Sequence, residues 1–210
     1  AITDVVLAIV AFMVGRSVYK TGGKIDLAKT RIWAGAFGLL YLAAILGAIA
    51  HGFKMEAFTN YLIWQPLNFS LGIAISLFAA GVIYDWNGFS LPKNIFIALV
   101  AAGIIFYTIT LIFPGSFFVF ILYEAVAMIF SLTMYIYLWR ARKFPGALSM
   151  AMGILITIFA ATVQAIEDIS IKIYWEFDHN GLFHLIQIFG LLFLLSGLKT
   201  EFKSRITHQS

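Results

Sequence analysis

Seven apolar stretches, each about 20 residues long, follow one another along this chain with short polar connections between them. They run from Ile2 to Tyr19, Ile32 to His51, Pro66 to Tyr84, Asn94 to Phe113, Phe117 to Trp139, Ala147 to Glu167 and Gly181 to Leu198. None alternates polar and apolar residues with a period of two, and an open sheet would leave backbone groups unpaired in lipid. Helices are therefore expected. The pattern predicts an all-α integral membrane bundle of seven transmembrane helices, a single domain over residues 1–198, with a basic tail over 199–210 that frays. Gly22-Gly23, Asp85-Trp86-Asn87-Gly88 and a Pro114-Gly115 hairpin punctuate the spans, while Pro66 and Pro145 sit near helix starts.

Composition strengthens this picture. At 62% hydrophobic and 11% charged residues, the chain has more apolar surface than one soluble core would hide. Trp33, Trp64, Trp86, Trp139 and Trp175 fall where apolar runs meet polar connections, the place an amphipathic ring takes at a membrane boundary. The first stretch lacks a basic leader and carries Asp4 at its start, so it reads as a span and not as a cleavable signal. The absence of Cys excludes disulfides, thiol catalysis and thiolate ligands.

Charge then gives orientation. With the N-terminus outside, twelve of the fourteen Lys and Arg residues fall on the inner side, and only Lys54 and Lys172 lie outside. The positive-inside rule predicts N-out and C-in, in a plasma or inner membrane. The formal charge of +4 is thereby a topology signal; membrane lipid is the expected partner, and no nucleic acid is implied.

In this topology the polar residues gather at one depth. His51 closes the second span at the outer side, and Asp178, His179, Asn180 and His184 open the seventh at that same side. Asp4, Gln65, Asn68, Glu124, Gln164, Glu167 and Asp168 are close in depth, and Gln187 shares a helix face with Asn180 and His184. No comparable cluster is expected in the inner half. Ionisable groups inside spans are costly and usually face a cavity or one another, which makes the outer cluster a candidate site. Three imidazoles with water form a recurrent catalytic zinc arrangement, so His51, His179 and His184 are the candidate ligands, with Glu124, Glu167 or Asp168 to carry a proton. Plainer roles stand beside these. Asp178 and Asn180 suit helix N-caps, His51 suits a helix end, and Glu124 suits a neutral acid bonded to Tyr123 or to another helix.

Seven spans with His51 ending the second, a polar start to the third and Asn180/His184 opening the seventh resemble the superfamily of alkaline ceramidases and progestin–adiponectin receptors. Its pattern places Ser-x3-His in the second span, an Asp near the third and His-x3-His in the seventh. Here Gly47 stands at the serine position, Asn60, Gln65 or Asn68 where the Asp is expected, and Asn180 at the first histidine of the pair. The resemblance implies a related bundle and a zinc site. A retinal protein is disfavoured because the seventh span holds no lysine before Lys199, and a haem bundle would need His51 and His184 facing across a porphyrin.

The first reading is accordingly a zinc-dependent hydrolase of a lipid amide or ester, with Glu124 and Asp168 as catalytic acids and bases. Its pocket comprises Asp4, Gln65, Asn68, Gln164, Asn180 and Gln187. The alternative is a receptor, ligand-binding or transport protein in which the same outward-facing pocket takes up a lipid-like small molecule without chemistry.

Overall fold

The computed structural model describes residues 1–113, 117–166, 168–172 and 176–207. Seven helices dominate: α1 (Ile2–Gly22), α2 (Leu27–Gly52), α3 (Ala57–Trp86), α4 (Lys93–Ile112), α5 (Phe117–Arg140), α6 (Ala147–Ala165) and α7 (His179–Thr207). All seven are long and apolar enough to cross a membrane. Between α6 and α7 lies a small antiparallel pair, β1 (Ser170–Lys172) with β2 (Glu176–Asp178), in the register Ser170 to Asp178 and Lys172 to Glu176. The expected Pro114-Gly115 hairpin, Glu167 and Trp175 fall outside the described residues.

Packing joins α1 to α2, α2 to α3, α3 to α5, α5 to α6, α6 to α7 and α7 back to α1. Six helices thus close a ring, and α4 lies outside it against α3 and α5. Glycines set the closest crossings. A Cβ on Gly153 of α6 would come within 2.9 Å of the Gly190 carbonyl oxygen of α7, and one on Gly72 of α3 within 2.8 Å of the Gly103 carbonyl of α4. Small residues of this kind let helix backbones approach where side-chain burial alone gives little drive.

Two helices differ from their sequence-based bounds in ways that matter. α3 begins nine residues before Pro66, which therefore lies inside the helix and not at its start. Proline there has no N–H to give the Leu62 carbonyl, and side chains bond the backbone in the adjoining turns: Gln65 Nε2 donates to the Tyr61 carbonyl at 3.1 Å and Ser70 Oγ to the Pro66 carbonyl at 2.7 Å. α7 does not fray after Leu198 but continues to Thr207, with Glu201 and Phe202 buried.

That extension exists because the end of the bundle opposite His51 holds a charged network. Lys29, fully buried, places its ammonium 2.7 Å from Asp85 Oδ1 and 2.8 Å from Glu201 Oε2. Tyr135 donates its hydroxyl to Asp85 at 2.7 Å, while Arg205 pairs with Glu201 and, at 2.8 Å, with Asp26. Tyr84 donates to Asp26 at 3.0 Å. The rings of Phe89, Phe144 and Phe202 complete a cage around the Lys29 ammonium. Phe89 adopts a left-handed φ of 68°, uncommon for a bulky side chain, and its N–H closes α3 on the Tyr84 carbonyl. This turn sets the Phe89 ring 3.5 Å from the Arg205 guanidinium carbon.

The expectation of a plain inner half is thereby corrected. Lys29, Asp85, Glu201 and Arg205 read singly as solvated loop and tail residues, yet α2, α3, α5 and α7 bury Lys29, Asp85, Tyr135 and Glu201 in one bonded cluster. Trp33 is corrected as well. It is not a boundary residue but a fully buried one, stacked with Phe37 and edge-on to Phe78, lying where Gly81 leaves room for its ring. Trp86 and Trp139 are about half exposed, as a boundary position requires.

Removing one charge from this network should be far worse than neutralising it. Lys29→Met leaves the buried Asp85 carboxylate without a cation and Glu201 with Arg205 alone, and is expected to lower unfolding stability by about 3–5 kcal/mol. Adding Asp85→Asn and Glu201→Gln should recover much of that loss in detergent-solubilised thermal unfolding. A triple variant no more stable than Lys29→Met would show that the ion pairs are incidental.

Candidate functional site

At the His51 end the ring encloses a cavity of about 690 Å³. On α2 it reaches from Ala36 to His51 and on α7 from His179 to Leu194, a depth of about 22 Å by the helical rise. Its floor is apolar, formed by Phe37, Phe78, Met128, Leu191 and Leu194. Polar groups enter nearer the mouth, because the helices that begin at this end carry them in their first turns.

Asp4, one turn into α1, is buried and sits between two histidines. Its Oδ1 lies 3.4 Å from His51 Nδ1 on α2 and 3.6 Å from His184 Nε2 on α7. His184 Nδ1 shares a 3.1 Å hydrogen bond with the Thr3 hydroxyl. Both ring nitrogens of His184 thus have neighbours: Nε2 faces the carboxylate and Nδ1 the hydroxyl. His51 sets its ring edge against Trp64, with centroids 5.6 Å apart.

Gly47 explains how Asp4 fits. A Cβ at position 47 would lie 2.9 Å from Asp4 Oδ1, so the missing side chain is the space that the carboxylate occupies. Glycine at position 47 and the placement of Asp4 are thus one steric feature.

His179 opens α7 and lines the same cavity, but its Nε2 faces Asn180 Nδ2 at 3.2 Å. Asn180 in turn accepts from Gln164 Nε2 at 2.9 Å and so ties α6 to α7. Asp178 caps α7 as expected, accepting from the Gly181 N–H at 2.7 Å. Asn60 donates to the Ala50 carbonyl at 3.2 Å and supports the end of α2.

Glu124 also lines the cavity. It is only 8% exposed and has no hydrogen-bond or ion-pair partner among the described residues. The expected bond to Tyr123 is absent, because that hydroxyl is engaged with Ser76 Oγ at 2.8 Å and with the Gly72 carbonyl at 3.1 Å.

The cavity therefore gathers His51, His179, His184 and Glu124 with Asp4, Gln65, Asn68, Gln164, Asn180 and Gln187. Asp168 stays apart. It lies beyond the end of α6, exposed and outside the cavity wall, since α6 stops at Ala165 and the chain turns toward β1. Trp64, read from the sequence only as a boundary residue, and Phe183 also line the cavity, and Thr3 supports His184 from α1.

The donor set can be weighed against zinc. A third imidazole turned to Asn180 and a His184 with both nitrogens occupied do not make a three-histidine site. Among the described residues no three His, Cys, Asp or Glu side chains group as metal ligands.

A family model covers residues 1–202, nearly all of the ring and both of its polar ends. The chain belongs to the family of unknown function DUF6962. No curated protein and no solved structure matches this DUF6962 member.

The link between Gly47 and Asp4 can be measured. Gly47→Ala pushes the carboxylate off the two imidazoles, so its effect on thermal stability should overlap with that of Asp4→Asn. A double-mutant cycle is expected to show coupling of about 0.5–3 kcal/mol, and strict additivity would mean that the two positions do not interact.

Proposed function

We propose that this chain is a multi-pass membrane protein that binds an amphipathic small molecule in the cavity at its His51 end. The observation that carries this reading is the cavity itself: 690 Å³, apolar at its floor and lined with polar side chains toward its mouth. Ligand sites commonly have this volume and this mixture, with a few polar groups fixing orientation. Membrane insertion is supported by the outer surface, where Ile9, Phe12, Ile105, Val126, Ile129 and Phe159 are exposed along helices of spanning length. Lys29 and Arg205 are engaged in buried ion pairs, yet the remaining basic residues still favour the Lys29 end as the inner side. The cavity then opens outward.

Zinc-dependent hydrolysis of a lipid amide or ester is the second reading, favoured by His51 and His184 meeting at one carboxylate. Such a reaction would need a metal with an open position to activate water. The donor set described above does not fit it, and no step is assigned through a metal.

Two measurements test the proposal. A single-chain amphiphile carrying a photoreactive diazirine should label cavity residues such as Trp64 and Phe183 in reconstituted protein, and Ala44→Trp, which fills the cavity, should cut that labelling about tenfold or more. Labelling confined to the lipid-facing positions Ile105, Val126 and Phe159 would sink the binding reading. Orientation is tested separately, with single cysteines and an impermeant thiol reagent in intact cells. Positions 54 and 172 should react while positions 24 and 142 do not, and the reverse pattern would turn the cavity inward.

A further inference from the structure

From the chemistry of the cavity wall we infer that the bound molecule carries a protonated amine, and that Glu124 receives it. The inference rests on the binding reading above and names the ligand class.

The two acids of the cavity differ in their surroundings. Asp4 has His51 and His184 beside it and leaves little for a ligand to add. Glu124 has no partner among the described residues, although it is more than nine-tenths buried. The hydroxyls close to it in sequence or on the wall are already used: Tyr123 on Ser76 and Gly72, Thr110 on the Tyr107 carbonyl and Thr157 on the Gly153 carbonyl. A buried acid left without a donor is costly unless a ligand supplies one.

Fully buried side-chain atoms without hydrogen-bond partners on this wall point the same way. Among the described residues they are Gln65 Oε1 and Gln187 Oε1, both acceptors. Counted along their helices, Gln65 lies eight residues into α3, Glu124 seven into α5 and Gln187 eight into α7. All three helices start at the cavity mouth, so these acceptors share a depth of about 10–12 Å. An ammonium group brings three donors and no acceptor, and its charge opposes that of the carboxylate. A hydroxyl offers one donor, and a carboxylate or phosphate head would meet Glu124 with like charge. Below this level the wall turns apolar, with Phe78, Met128, Leu191 and Leu194, and takes the hydrocarbon body.

The test uses full-length protein in lipid nanodiscs, with dodecylamine, N-acetyl-dodecylamine, dodecanol and dodecanoate competing against the diazirine amphiphile. Dodecylamine is expected to compete roughly tenfold or more better than its N-acetyl derivative or the alcohol, as a charge-assisted bond outweighs a neutral one, and dodecanoate should be weakest. Glu124→Gln should erase the advantage of the amine while the alcohol competes as before. Equal competition by all four, with cavity labelling intact, would overturn the amine assignment and leave the pocket reading standing. Absence of cavity labelling would remove the pocket reading itself. Should Glu124→Gln fail to fold, the ratio of amine to N-acetyl amine on the wild-type protein decides alone, because acetylation removes the charge and keeps the chain.

Discussion

A lysine ammonium with no exposure is the constraint around which one end of this protein is arranged. Taking such a charge out of water costs several kcal/mol, so its counter-charges must be close and themselves satisfied. Asp85 and Glu201 meet the first requirement at 2.7 and 2.8 Å, and Tyr135 and Arg205 meet the second. Because these side chains come from α2, α3, α5 and α7, four members of the ring cannot slide or rotate independently at that end. The left-handed turn at Phe89 and the extra turns of α7 follow from the same demand. Both bring groups to the ammonium that a helix ending earlier would leave in solvent.

The two ends of the ring handle buried polarity in opposite ways. At the Lys29 end charges of both signs are interleaved and enclosed by aromatic rings, which suits a closed and rigid terminus. At the His51 end Asp4 is partnered and Glu124 is not, and space remains beside both. Lys29 and His51 lie on one helix, 22 residues apart, which is about 33 Å along its axis. One helix thus joins the sealed end to the open one.

Much of the architecture could be read from the chain because helix length and apolar run length nearly coincide in a bundle of helices long and apolar enough to cross a membrane. The seven runs, the shared depth of His51 and His184 and the polar openings of α3 and α7 all followed from it. Run length is blind to what happens at its edges. Lys29 and Glu201 each lie just outside an apolar run, so a hydropathy pattern places them in solvent, and only their pairing 172 positions apart carries them inside. Trp33 misled for a related reason: an indole suits a boundary, but Gly81 makes a slot for it in the core. The β1–β2 pair is too short, at three residues per strand, for a period of two to register. Asp168 was drawn into the candidate site by its place in sequence, although α6 ends before reaching it.

The candidate chemistry depends on one small residue. Position 47 of α2 is a glycine, and the space beside it is filled from α1 by the Asp4 carboxylate. A carboxylate only accepts, so an imidazole nitrogen that bonds to it carries a proton and is not free to take a metal. With Thr3 taking the other nitrogen of His184, that imidazole is oriented by the protein alone. The acid that remains without a partner is then Glu124, deeper in the ring and nearer the apolar floor. Polar satisfaction at the mouth and its absence one level below fit a site that admits a ligand past the histidines and holds it at the carboxyl group.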